Sequence, residues 1–306
     1  MRAMTLPEGI DVDRFRRLAA LAREEDFGAA GDITTALLPA ARQTARGTWN
    51  IVARRAGRYC GTAILPALLE ELAPLVRVEP DSAARDGAAV EPGTAVARLS
   101  GPLVQMLAAE RVLLNFLQRL SGIATVTREV VEAVARTPAK IYDTRKTTPG
   151  LRDLEKYAVR VGGGHNHRVG LHDAVLIKDN HLAGVPTERL AHAVFEMLCG
   201  WSQPERRPRF VEVEADSVAA ARELFKVVGI NVILLDNFGP DALREAVSVR
   251  DGAGLRGKVE LEASGGVTRD NVRRIAETGV ERIAVGSLTH SAAALDLGLD
   301  AVDSPS

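Results

Sequence analysis

After residue 140 the sequence alternates short runs rich in valine and isoleucine with amphipathic helical stretches, and few folds accommodate that alternation. The apolar runs are IYDTR (141–145), AVLIKDN (174–180), FVEVEA (210–215), VILLDN (232–237), VELEASG (259–265) and RIAVGS (282–287). Strands separated by helices predict a parallel sheet, because parallel neighbours need a crossover connection rather than a tight turn. Helices are expected at Ser217–Val228, Asp241–Val249 and Arg269–Glu277, opened by Asp216, by Pro240 in a first turn, and by Thr268. Six such strands within about 150 residues favour a (β/α) barrel over an open doubly wound sheet, which would read similarly.

The first part of the chain has a different rhythm. A helix is expected near Val12–Glu24, then the loop DFGAAGDITT, strands at Gly47–Ala53 and Ala95–Leu99, a helix at Ala63–Leu72, and turns at Asp86-Gly87 and Pro92-Gly93. This predicts a separate α/β sandwich. A helix from Pro102 to Leu120, stopped by Ser121-Gly122, would join the two parts. The expected division is 1–115 for the sandwich and 116–289 for the barrel. The tail, 290–306, is expected to be partly helical, to pack on the sandwich and to end in a frayed DSPS. Asp32, Thr34 and Thr35 read as a cap or turn, with a subunit contact as the alternative.

A net charge of -1 and the lack of a long basic run argue against nucleic acid as the main partner. No apolar run approaches the roughly 20 residues of a membrane span, and the opening MRAMTLPEGIDVDRF has no signal-like apolar stretch, so a cytoplasmic protein is expected. Cys60 and Cys199 are too few for a disulfide framework. Positive charge is instead local: Lys140–Asp179 holds eight lysines and arginines against five acids.

In a parallel barrel the carboxyl ends of all strands open on one face, so the polar residues ending each run should converge. Those ends are Arg145-Lys146, Lys178-Asp179-Asn180, Glu214, Asp236-Asn237, Ser264-Gly265-Gly266 and Gly286-Ser287. The two glycine ends offer backbone N–H groups to a phosphate, or serve only as tight turns. Glu214 and Asp236 suit ribose hydroxyls or Mg²⁺ on a diphosphate, or form structural ion pairs. Arg145, Lys146, Arg168 and Lys178 suit an anionic ligand, or are solvated charges. His165 and His167 could bind a metal, but Arg160 and Arg168 flank them, and hydrogen bonding to an anion is the better expectation.

DTRKTTPGLRDLEKYAVRVGGGHNHRVGL, LIKDNH, VEVEADS, ILLDNF, LEASGGV and VGSLTHS together resemble the successive signatures of the quinolinate phosphoribosyltransferase family. EEDFGAAGDITT and AERVLLNFLQRLSGIAT resemble its N-terminal ones, and His165 stands at a variable position. The resemblance implies an N-terminal α/β sandwich with an incomplete barrel of the type II phosphoribosyltransferase kind. It also implies a homodimer in which Arg111 completes the partner's site. The implied reaction is quinolinate plus 5-phosphoribosyl 1-diphosphate giving nicotinate mononucleotide, diphosphate and CO₂ in NAD biosynthesis, with Mg²⁺ and no organic cofactor.

By the same likeness Arg111, Thr144, Arg145, Lys146, His167, Arg168 and Lys178 would hold quinolinate. Ser264, Gly265 and Gly286 would take the 5′-phosphate, and Glu214 and Asp236 the ribose and metal-bound diphosphate. Lys146, Glu214 and Asp236 are the expected catalytic residues, Lys146 as proton donor or relay. The alternatives are a transferase for another anionic aromatic acid, a non-catalytic phosphate-binding barrel, and a metal hydrolase built on His165 and His167.

Overall fold

The computed structural model describes residues 6–81, 84–200 and 207–302. They form two compact units: Met1–Arg128 with Thr147–Gly163 and Ser291–Ser306, and Glu129–Lys146 with Gly164–His290. The chain passes from the first to the second inside one helix, Leu103–Ala133. That helix does not stop at Ser121-Gly122 as the sequence suggested. Gly122 is there for closeness rather than termination, since a Cβ on it would overlap the Ala293 carbonyl.

The first unit is built on a four-stranded antiparallel sheet in the order Leu297–Ala301, Arg46–Ala53, Ala95–Pro102, Arg77–Pro80. The alternation of Ala95–Pro102 buries Val96, Ala97, Leu99 and Gly101, and Leu65, Leu68, Met106, Leu113 and Leu117 add to the unit's apolar core. The tail is a strand here, not helical: Leu297–Ala301 pairs with Arg46–Ala53, from Ala53 opposite Leu297 to Trp49 opposite Ala301. The DSPS end lies outside the described residues. In the GDITT loop, Asp32 accepts hydrogen bonds from the backbone N–H and hydroxyl of Thr35, which makes it a turn.

The second unit holds six parallel strands: β1 (Lys140–Tyr142), β2 (Val175–Ile177), β3 (Val211–Ala215), β4 (Val232–Asp236), β5 (Glu260–Ser264) and β6 (Arg282–Ala284). Their order is β1-β6-β5-β4-β3-β2. The first strand therefore lies beside the last, as in a closing barrel rather than a doubly wound sheet. The barrel is incomplete, because β1 and β2 do not pair; the 164–168 segment lies against β1, with His165 bridging Tyr142. Each strand is shorter than its apolar run; after Lys140–Tyr142, Val175–Ile177 and Arg282–Ala284 the chain leaves the sheet before the run's polar end.

Helix starts follow local chemistry. Ser217, not Asp216, caps Val218–Leu224 by accepting from the Ala220 N–H. Pro240 occupies the first turn of Pro240–Gly252, and Thr268 with Asn271 forms a capping box on Arg269–Ala276.

Candidate active site

The carboxyl ends of the second unit's strands surround a cavity of about 620 Å³. Thr144, Arg145 and Lys146 follow β1, Lys178 follows β2, Asp236 ends β4, and Ser264 and Gly265 end β5, and all of them line it. His167 and Arg168, from the segment beside β1, line it as well. Of the remaining expected residues, Glu214 reaches the rim through Lys178, whose Nζ donates to Glu214 Oε2 at 2.6 Å. Gly286 lies against Lys146, since a Cβ on it would come 3.1 Å from Lys146 Cδ. Arg111 is exposed on the first unit's helix and is not among the lining residues.

The two guanidiniums are the informative members. Arg145 Nε is buried with no hydrogen-bond partner, and among the described residues neither Arg145 nor Arg168 forms an ion pair with a carboxylate. Arg168 is only 8% exposed. Burial and the facing Arg145 charge lower its pKa from the usual arginine value. Glu212 and Asp173 pull the other way. Two like charges facing each other are costly, and a multiply charged anion in the cavity would relieve that cost.

On the far side, Asn237 folds back at φ 58°, its N–H donating to the Ser264 carbonyl and its side-chain amide to Asp236 Oδ2 at 2.7 Å. Gly265, at φ 91°, leaves room for that amide; a Cβ would collide with it. Glu214 sits opposite Leu234 in register, which puts Glu214 and Asp236 on neighbouring strands two residues apart. Oxygen donors at one rim suit a hard cation such as Mg²⁺.

Several site residues escaped the sequence reading. Glu212 and Glu262 are fully buried, and Glu262 lines the cavity. Their carboxylates approach His167 Nε2, Glu212 Oε2 to 2.7 Å and Glu262 Oε1 to 3.4 Å. Arg282 Nε donates to Glu262 Oε2 at 2.6 Å. The anions expected near His167 are thus present as side chains of the protein itself. Burial depresses the imidazole pKa, but the two carboxylates outweigh it and push it up to about 9. The signal was in the sequence: VEVEA places two polar side chains, and ELEAS three, on one strand face at two-residue spacing. His165 is exposed, and the described group with metal-type donors, His167 with Glu212 and Glu262, does not include it.

In the first unit Arg119 pairs with buried Glu155 at 2.7 Å, and Glu155 also accepts from the Thr148 N–H. No described helix is long and apolar enough to cross a membrane.

Fold and site together define an α/β-barrel protein that gathers cations, two rim carboxylates and glycine turns around one small anionic ligand. The chain belongs to the quinolinate phosphoribosyltransferase family: its N-terminal domain matches residues 32–121 and its C-terminal domain residues 123–300. It is 41% identical over 254 residues to a probable nicotinate-nucleotide pyrophosphorylase (carboxylating) of Bacillus subtilis, covering 82% of each chain. A mitochondrial quinolinate phosphoribosyltransferase (decarboxylating) of Nicotiana tabacum is 37% identical, over 91% of this chain and 80% of that one. The crystal structure of a nicotinate-nucleotide pyrophosphorylase from Ehrlichia chaffeensis superposes with a TM-score of 0.82 at 36% identity, over 94% and 98% of the two chains.

Proposed function

We propose that the chain transfers the phosphoribosyl group of 5-phosphoribosyl 1-diphosphate to quinolinate, releasing diphosphate, CO₂ and nicotinate mononucleotide for NAD synthesis. The observation that carries this reading is the pair Arg145 and Arg168, neither in an ion pair with a described carboxylate, in a cavity that also holds Lys146 and Lys178. A pyridine dicarboxylate supplies the missing charge. Thr144 and His167 complete that side, while Ser264, Gly265 and Gly286 receive the 5′-phosphate through backbone N–H groups.

Glu214 and Asp236 hold the ribose hydroxyls and stabilise the positive charge that develops on the sugar as diphosphate departs. Mg²⁺, held at these two carboxylates directly or through diphosphate, would neutralise the leaving group's charge. The pyridine nitrogen then attacks C1 of the sugar. Once alkylated, the ring accepts the electron pair left when the neighbouring carboxylate departs as CO₂, so no organic cofactor is needed. Lys146, beside Gly286, is the proposed donor or relay of the proton that replaces CO₂.

The finer statements rest on family likeness. A homodimer in which Arg111 of one chain reaches the other's cavity agrees with the exposure of Arg111 and its absence from its own chain's lining.

The test is release of labelled CO₂ from quinolinate, with phosphoribosyl diphosphate and Mg²⁺ each omitted in turn, and nicotinate offered in place of quinolinate. Turnover should need all three components, and nicotinate should be a poor substrate because it leaves one guanidinium unpaired. Preferred turnover of a monocarboxylate would favour a related transferase instead. For Lys146, single-turnover decarboxylation should slow in Lys146→Ala. Wild-type speed with weakened binding alone would remove it from the proton path.

A further inference from the structure

The segment that carries His167 and Arg168 is not a strand, although it lies where β1 and β2 fail to pair. A backbone bridge at His165 ties its start to β1. Beyond it side-chain carboxylates hold the segment: the His167 N–H donates to Asp143 Oδ1 at 2.8 Å, and Asp173 accepts from the Val169 and Gly170 N–H groups at 2.9 and 3.1 Å.

His167 Nε2 faces Glu212 and Glu262, from β3 and β5, at 2.7 and 3.4 Å. Arg282 neutralises the far side of Glu262 and lies over the Tyr142 ring, 3.9 Å from its centroid. Phe210 meets the His167 ring edge-on. These three side chains have metal-type donors, but the Arg282 guanidinium already supplies the positive charge an ion would bring.

We propose that Glu212 and Glu262 are positioning residues: they clamp the His167 ring from inside the barrel, and so hold the next residue in the chain, Arg168, at the cavity where its guanidinium meets the substrate's carboxylates. This rests on the functional reading above. It assigns the buried carboxylates to the quinolinate side of the cavity, not to the sugar-phosphate side formed by Ser264 and Gly265. The charged groups facing the ring from the packed elements are Glu212 and Glu262, with Arg282 on the far side of Glu262.

The test compares Glu212→Gln and Glu262→Gln with the wild-type enzyme in steady-state kinetics. The KM for quinolinate should rise about tenfold or more, the loss of a charge-assisted contact, while the KM for phosphoribosyl diphosphate stays within about twofold. The alkaline limb of kcat/KM for quinolinate should also move to lower pH. Unchanged constants, or equal rises for both substrates, would overturn the proposal. Should the variants not fold, ¹⁵N spectra of His167 in the unmodified enzyme decide: a proton retained well above the usual histidine range supports the clamp, and ordinary titration refutes it. Wild-type enzyme inert toward quinolinate would sink the functional reading and this inference together, whereas unaltered variants of an active enzyme sink this inference alone.

Discussion

Arg145 and Lys178 stand at the ends of strands that the apolar runs already located, so their convergence was legible before any coordinates. Replacing either with alanine should abolish turnover while leaving the fold intact, because both side chains face the cavity rather than the packed interior. Thermal unfolding within a degree or two of wild type, alongside lost CO₂ release, is the expected pair of results. The alternation that carries Glu212 and Glu262 was visible but reads the other way, for a physical reason: alternating polar residues on a strand ordinarily mark a solvated face, and here both are buried. His167 carries a pH consequence. Its pKa rises from 6.5 to about 9 on folding, so its ion pairs stabilise the protein fully below pH 6.5, and that contribution disappears as pH climbs through 9. The loss should amount to at most about 3 kcal/mol, seen as a falling urea midpoint between pH 6.5 and 9.5, and it should be blunted in Glu262→Gln.

Among elements, helix positions followed sequence rules wherever a cap or proline was present, as at Ser217, Pro240 and Thr268. Removing the cap with Ser217→Ala should cost about 1 kcal/mol in chemical denaturation. The rules failed at Gly122, because a glycine required by tertiary contact is indistinguishable in sequence from one that ends a helix. Gly122→Ala tests that contact. At an open mid-helix position alanine would be neutral or helpful, but against the Ala293 carbonyl it should destabilise the protein by about 1–3 kcal/mol, read from the same denaturation curves. The tail failed differently. Leu297–Ala301 is too short to announce a period, and only its pairing with Arg46–Ala53 makes it a strand.

For the molecule as a whole, the alternation after residue 140 left a barrel and an open sheet both possible, and long-range register decided between them. Ile141 lies opposite Ile283, a pairing across most of the unit that no local pattern encodes. The division into units was harder to read, since Thr147–Gly163 follows the first cavity residues in sequence yet clusters with the first unit. Its helix, Arg152–Val161, buries Asp153 and Glu155 against Arg14 and Arg119 of that unit. Strand Arg46–Ala53 has its outer neighbour in Leu297–Ala301, and a chain cut after Asp296 should expose that edge. Lower thermal stability and concentration-dependent aggregation, followed by light scattering, are the expected outcomes. That pairing also sets a timetable for biosynthesis: the strand emerges from the ribosome early and waits for a companion translated roughly 250 residues later, so the nascent sandwich stays unfinished, and open to chaperones, until the barrel has been made.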